Sequence, residues 1–260
     1  MIVVDNLHKH FGGFRAVNGA SLKIKEGGIT GLIGPNGAGK SVLFNVISGF
    51  LKPTSGHVGM AGEDITGLPP HVLFKKGLLR SFQIAHEFST MTCRENLMVV
   101  PGGQSGEKLW NTWFGRKRIA GEERALRSRA DEVLKFLTID HLANQKAGMI
   151  SGGQKKLLEL GRTMMADAKI VFFDEVGAGV NRTLLNVIAD TIVRLNREHG
   201  LTFVIIEHDM DFIGRICEHV ICLAEGRVLA EGTLDEIRAN RQVVEAYLGT
   251  RRHGKSEGKR

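Results

Sequence analysis

Between Ile29 and Ile47 the order of residue types leaves the chain few folds to choose from. Ile29-Thr-Gly-Leu-Ile33 carries no charge and reads as a short buried strand. Gly34-Pro-Asn-Gly-Ala-Gly-Lys40-Ser41 follows, and Val42, Leu43, Val46 and Ile47 then recur at helical spacing. The middle segment has the spacing G-x-x-x-x-G-K-[ST]. Its glycines let successive backbone N–H groups turn inward with no side chain in the way, which makes a concave anion site. The helix behind it points the positive end of its dipole at the same place. Lys40 can then reach the β- and γ-phosphates of a nucleotide, and the Ser41 hydroxyl can ligate Mg²⁺. The candidate phosphate cradle is therefore Gly34, Pro35, Asn36, Gly37, Ala38, Gly39, Lys40, Ser41 and Val42.

Two further segments carry chemistry. Ile170-Val-Phe-Phe173 is an apolar run ending in Asp174 and Glu175, so a buried strand delivers two carboxylates to the edge of a sheet where α/β ligands sit. Asp174 suits a role at Mg²⁺, and Glu175 suits polarisation of an attacking water. Ser151-Gly-Gly-Gln154 opens another helix, Lys155 to Ala166. A serine cap followed by two glycines presents backbone N–H groups, either as a plain helix cap or as a second anion site, and its position 23 residues before Asp174 favours the second.

Strand and helix signals alternate through most of the chain, which points to an α/β fold. Ile2–His8 and Ser21–Lys25 read as antiparallel strands, and residues 56–66 as a small hairpin. Pro69-Pro70 open a short helix, and Leu79–Gln83 is a strand. Residues 84–168 hold little strand signal, with a polar stretch at 101–121 and a helix from Glu122 to Leu137. This reads as a helical subdomain inserted into one α/β core. Beyond it come a strand at Ile170–Phe173, a helix at Arg182–His199, a strand at Thr202–Ile206, and a hairpin turning at Glu225-Gly226.

With 42% hydrophobic and 24% charged residues, the chain can bury a sizeable core, which excludes disordered and fibrous classes. Its apolar runs are far shorter than the ~20 residues of a spanning helix, and Met1 leads straight into a strand with no signal-peptide pattern. The expected location is cytoplasmic. The net charge is +7, but the last ten residues hold five bases against Glu257 alone, so the body is nearly balanced and a solvated basic tail at 251–260 is expected. Cys93, Cys217 and Cys222 lack metal-binding spacing and read as inert thiols.

The order of phosphate loop, Ser-Gly-Gly-Gln, strand ending Asp-Glu, and a histidine after the next strand resembles the ATP-binding cassette (ABC) ATPases over residues 1–250. The resemblance implies a P-loop NTPase core with an antiparallel β subdomain and an inserted α-helical subdomain. It implies that Phe11 stacks on adenine, that Gln83 senses the metal and γ-phosphate, and that Ser151, Gly152, Gly153 and Gln154 bind the ATP held by the other subunit. It also implies that Ala178–Asn181 links the two sites and that His208 contacts the γ-phosphate. The implied catalytic set is Lys40, Gln83, Glu175 and His208, and the implied metal set Ser41, Gln83 and Asp174, with ATP and Mg²⁺ bound. Three positions depart from the pattern: Val176 stands where proline is usual, Val42 where a second hydroxyl is common, and Ile150 where leucine is usual.

Phe11–Val17, Leu79–Ile84, Ala178–Asn181, the long polar insert and the ending Val244–Gly249 are similar to the longer ATP-binding subunit of bacterial branched-chain amino acid importers. That likeness implies peripheral attachment to the cytoplasmic face of the inner membrane. The implied partners are a second ATPase (an identical copy or a shorter paralogue), two transmembrane permease subunits and a periplasmic binding protein, with no nucleic acid. Urea and short-chain amide importers and the lipopolysaccharide-export ATPase look alike at this level. A soluble cassette acting on DNA or ribosomes would usually carry two cassettes or a long coiled-coil insertion, and neither is present. An inactive regulatory cassette conflicts with intact Lys40, Asp174, Glu175 and His208.

Overall fold

Ile2–Phe11 (β1) and Phe14–Ile24 (β2) pair antiparallel about Gly12-Gly13, and Ile2, Val4, Leu7, Ala20, Leu22 and Ile24 are all buried. The computed structural model describes residues 1–80, 87–104 and 116–253 of the chain. Ile29–Ile33 (β3) is followed by the helix Lys40–Ile47 (α1), and Ser55–Met60 (β4) with Glu63–Asp64 (β5) makes the small hairpin expected from sequence. A first sheet has the order β2-β1-β4-β5 and is antiparallel throughout.

The short helix Pro70–Lys75 (α2) leads into Leu78–Arg80 (β6). With Ile170–Asp174 (β7), Thr202–Ile206 (β8), His219–Ala224 (β9) and Arg227–Gly232 (β10) a second sheet forms, in the order β10-β9-β3-β8-β7-β6. Its pairings are parallel except β9 with β10. Every residue of β3, β7 and β8 is buried, as strands covered on both faces must be. Leu43, Phe44, Val46 and Ile47 of α1 pack into the cluster that also holds Phe172, Val204 and Ile221 of the second sheet and Leu7 and Ile24 of the first. The rings of Phe44 and Phe172 lie 4.6 Å apart, which fixes α1 on the sheet that carries the acidic strand end.

The chain divides into two compact units: Met1–Gln83, Lys169–Ala178 and Ile192–Arg260 in the first, Ile84–Ala168 and Gly179–Thr191 in the second. The second unit is helical where described. Cys93–Met98 (α3) starts at a capping box between Thr92 and Glu95, and Arg116–Phe136 (α4) and Gly152–Met165 (α5) follow. Gly161 lets these helices close together, because a Cβ there would lie 2.8 Å from Leu137 and 3.1 Å from Leu97 and Val133. Arg182–His199 (α6) contributes its first part to this unit and its remainder to the first. Met210–Ile216 (α7), Leu234–Ala239 (α8) and Arg241–His253 (α9) complete the first unit.

Several elements differ from the sequence reading. Helix α4 begins at Arg116 rather than Glu122, because Arg116–Gly121 has no apolar stripe and is helical through polar contacts such as the Arg118–Glu122 pair, 3.0 Å. Helices α3, α7 and α8 are too short for apolar periodicity to stand out, though the Thr92/Glu95 and Thr233/Glu236 capping boxes mark two of them in the sequence. Helix α9 runs to His253, so Arg251 and Arg252 extend a helix rather than begin a separate tail; residues 254–260 lie outside the described residues, as does the end of the Leu79–Gln83 strand.

Because Phe172 is fully buried against Phe44, Phe172→Ala is expected to cost about 3–5 kcal/mol of stability. A urea unfolding curve checks this: its midpoint falls sharply, and an unmoved midpoint contradicts the packing described.

Candidate active site

The phosphate loop is fixed by backbone that crowds it from behind. Gly34 (φ 148°) passes so close to β9 that a Cβ would lie 2.1 Å from the Leu223 carbonyl oxygen. Gly39 (φ 96°) passes β2 so closely that a Cβ would lie 2.2 Å from the Ala16 oxygen. The turn between β9 and β10 joins them: the Gly226 N–H donates to Ala38 O at 3.0 Å, and Asn18 N–H donates to Gly226 O at 2.8 Å. Both sheets therefore hold the back of the loop, and its front, with Asn36, Gly37 and Ser41 exposed, faces solvent.

Lys40 is the first residue of α1 and is 7% exposed. Its ammonium donates to Gly34 O at 2.7 Å and to Pro35 O at 3.0 Å. Burial lowers its pKa, while the nearby Glu175 and Asp174 carboxylates oppose the shift. A cation is thus kept inside the loop by groups that also line the place where phosphate would sit.

Strand β7 ends at Asp174, 6% exposed, whose Oδ2 accepts from Arg80 Nη2 at 3.1 Å. Its other oxygen, Oδ1, is buried and has no hydrogen-bond partner among the described residues. Burial raises the Asp174 pKa, Arg80 lowers it, Glu175 raises it and Lys40 lowers it; the net shift is upward. Glu175 next to it has φ 55°, a left-handed conformation that strains a residue with a Cβ. Such strain persists only where surroundings enforce it, and here Glu175 N–H donates to Ile206 O at 2.9 Å. His208 Nε2 lies 3.2 Å from Glu175 Oε1, so the histidine just beyond β8 meets the carboxylate just beyond β7. Val176, at the position where the family pattern has proline, is buried.

Glu207 lies in the segment Ile205–Asp209 around His208, but the sequence motif gives it no role of its own. It is 6% exposed, and its two oxygens accept from Gly177 N–H at 2.5 Å and from His208 N–H at 3.0 Å. This carboxylate ties the turn after Glu175 to the backbone of His208. The only sequence sign of its burial is its place directly after the apolar run Phe203-Val-Ile-Ile206. Arg80 falls inside a motif segment, Leu79–Ile84, but nothing in that segment indicates a role of its own.

In the second unit Ser151 caps α5, and its hydroxyl and the Gln154 side chain form a capping box. Gly152 and Gly153 then supply the first helical N–H groups, which have no intrahelical acceptor. Gly153 is glycine for want of room, since a Cβ would lie 1.4 Å from Leu184 Cδ2. Asn181 caps α6 by accepting from Leu184 N–H at 3.0 Å. Phe11 lies outside the core, 47% exposed at the tip of β1 with the Lys9 ammonium 5.0 Å from its ring centre. Gln83 lies outside the described residues. Burial pushes the Cys217 thiol up to about 12 and the Cys222 thiol to about 11, so both stay protonated.

Residues 17–178 match the pattern of the ABC transporter family, and residues 227–253 match that of the branched-chain amino acid ATP-binding cassette transporter. The chain belongs to the ABC transporter family as an ATP-binding cassette. It is 40% identical over 249 residues to the probable branched-chain amino acid transport ATP-binding protein LivG of Archaeoglobus fulgidus, covering 96% of this chain and 95% of that one. It is 37% identical to the high-affinity branched-chain amino acid transport ATP-binding protein BraF of Pseudomonas aeruginosa, covering 96% and 98%. The ADP conformation of the cassette MJ1267 superimposes with a TM-score of 0.81 at 37% identity, covering 96% and 98%. The dimeric cassette MJ0796 in a post-hydrolysis state with ADP and Pi gives 0.72 at 27%, covering 90% and 99%. As a cassette the chain is an ATPase, and ATP binding is the common property of the family.

Two substitutions test the cassette's geometry. Gly39→Ala forces a methyl onto the Ala16 carbonyl and is expected to weaken nucleotide binding at least ~tenfold. Glu207→Ala leaves two backbone N–H groups without their acceptor, at ~1–3 kcal/mol each, and is expected to slow turnover at least ~tenfold while nucleotide affinity stays within ~twofold. Fluorescent-nucleotide titration and steady-state phosphate release measure the two quantities separately; equal losses in both after Glu207→Ala contradict its assignment to the hydrolytic end of the site.

Proposed function

We propose that this chain is the ATP-hydrolysing subunit of an importer of branched-chain amino acids. It works at the cytoplasmic face of the plasma membrane beside a second cassette, two permease subunits and a periplasmic binding protein. The cargo assignment rests on one agreement: relatives over nearly the whole chain are branched-chain amino acid transport proteins, and residues 227–253 match the pattern particular to that group. Separate permeases accord with the fact that no helix among the described residues is long and apolar enough to cross a membrane. The cassette domain takes residues 1–250, with residues of about 84–168 as its helical subdomain.

ATP enters with its phosphates against the amides of Gly34–Ser41 and its adenine on the exposed ring of Phe11. Lys40 exchanges its contacts with Gly34 O and Pro35 O for phosphate oxygens. The donors present fit Mg²⁺: Asp174 offers a buried oxygen with no partner among the described residues, and the exposed Ser41 offers a hydroxyl at the first turn of α1. Gln83 is assigned with them from the family pattern. When bound, Mg²⁺ would neutralise negative charge on the phosphates as it develops.

Glu175 orients a water and accepts its proton as the water oxygen bonds to the γ-phosphorus. The bond from that phosphorus to the β-phosphate oxygen breaks, leaving ADP and inorganic phosphate. His208, 3.2 Å from Glu175 Oε1, holds that carboxylate and turns to the γ-phosphate. Ser151, Gly152, Gly153 and Gln154 engage the nucleotide of the second cassette, chiefly through the glycine N–H groups, since the capping box already occupies the Ser151 and Gln154 side chains. Nucleotide thus closes the pair, and loss of the shared phosphate loosens it. The paired arrangement of MJ0796 supports this reading.

Glu175→Gln is expected to keep ATP affinity within ~twofold and to lower turnover at least ~hundredfold in the assembled transporter. In cells lacking the gene, the wild-type chain restores uptake of labelled leucine, isoleucine and valine and the variant does not. Near-normal hydrolysis by the variant, or restoration of a different solute's uptake alone, contradicts the proposal.

A further inference from the structure

Arg80, at the end of β6, reaches three elements at once. Its Nη1 donates to Asn45 Oδ1 on α1, and its Nη2 donates to Asp174 Oδ2 at the end of β7, 3.1 Å away. Its guanidinium also lies over the Phe50 ring just beyond α1, 5.6 Å from the ring centre. The Arg80 and Asp174 side chains are only 9% and 6% exposed.

A buried ion pair contributes little net stability compared with apolar residues of similar volume, so packing alone gives no reason for a charged pair here. Geometry does. The planar fork of an arginine holds two acceptors in a fixed relation, which a lysine cannot do. One prong is on the helix that begins with Lys40 and the other is on the carboxylate beside Glu175. Asp174 therefore has one oxygen engaged by Arg80 and the other buried and without a partner among the described residues.

We propose that Arg80 is a positioning residue that clamps Asp174 to the phosphate-loop helix, engaging one carboxylate oxygen so that the other is presented to the divalent cation that accompanies the nucleotide. The clamp rests on the metal role given to Asp174 under the proposed function. It sets the place of the metal relative to the phosphates without touching either. Removing it lets the Asp174 carboxylate turn, while the backbone cradle and Lys40 remain.

The test compares the affinity of full-length chain for a fluorescent ATP analogue in EDTA and in Mg²⁺, a ratio that cancels general damage to the loop. Arg80→Met is expected to leave the EDTA affinity within ~twofold and to reduce the tightening by Mg²⁺ ~tenfold, the scale seen when a group supporting a metal ligand is lost. Arg80→Lys, which keeps the charge but not the fork, recovers part of the response. Asn45→Ala loses part of it, and Asn45→Ala added to Arg80→Met loses no more than Arg80→Met alone. If Arg80→Met does not fold, Arg80→Lys and Asn45→Ala decide, and an undiminished Mg²⁺ response in both overturns the clamp. A full response in folded Arg80→Met, or equal loss of affinity in EDTA and in Mg²⁺, also overturns it. A wild-type chain whose affinity ignores Mg²⁺, or Asp174→Asn with an unchanged Mg²⁺ response, overturns the metal role of Asp174 and the clamp with it.

Discussion

The backbone of the phosphate loop is wedged between two carbonyl oxygens, Leu223 O behind Gly34 and Ala16 O behind Gly39, with no room for a methyl group at either place. An anion site of inward-turned amides needs that wedge, because the loop alone would not hold so many N–H groups in one direction. Much of the first unit follows from it. The antiparallel β1–β2 hairpin supplies Ala16, the β9–β10 hairpin supplies Leu223 and the bridging Gly226, and Phe44 against Phe172 seats α1 on the sheet.

The acidic end of the site is built on a similar plan, with side chains in place of backbone. Arg80 fixes Asp174 on one side, and Glu207 fixes the turn after Glu175 and the start of the His208 segment on the other. Glu175 stays in a left-handed conformation between them. Three buried or half-buried carboxylates at neighbouring strand ends would repel one another in an apolar setting. Each is instead given a defined partner: a guanidinium for Asp174, an imidazole for Glu175, and two backbone N–H groups for Glu207. The cost of burying charge is offset by hydrogen bonds that also set direction, and direction is what phosphoryl transfer requires of a protein.

The phosphate loop, the strand ending in Asp174-Glu175 and the serine cap of α5 are legible in the sequence because each joins a periodic apolar run to polar residues at a fixed offset. Strands β3 and β8 and helix α6 can be bounded to the residue for the same reason. Glu207 and Arg80 are not legible as site residues, since their importance depends on which distant backbone or side chain they meet: Gly177 is 30 positions away and Asp174 is 94. Helices α3, α7 and α8 escape a sequence reading because six or seven residues do not complete enough turns for an apolar stripe to register, whereas the equally short α2 is marked by Pro69-Pro70. Gly153 shows the intermediate case. Its presence in Ser-Gly-Gly-Gln is plain, but the reason for it, the side chain of Leu184, needs the fold.

The central claim is that the loop at Lys40 in one cassette and the helix tip at Ser151 in another grip one nucleotide. Vanadate trapped with ADP in place of the departing phosphate cleaves nearby backbone under ultraviolet light, so the cut sites map what surrounds that phosphate. In the assembled, turning-over transporter the account predicts cuts both within Gly34–Ser41 and at Ser151–Gln154, the second disappearing when the partner cassette is withheld. Cuts confined to Gly34–Ser41 in a complex that still hydrolyses ATP would contradict it.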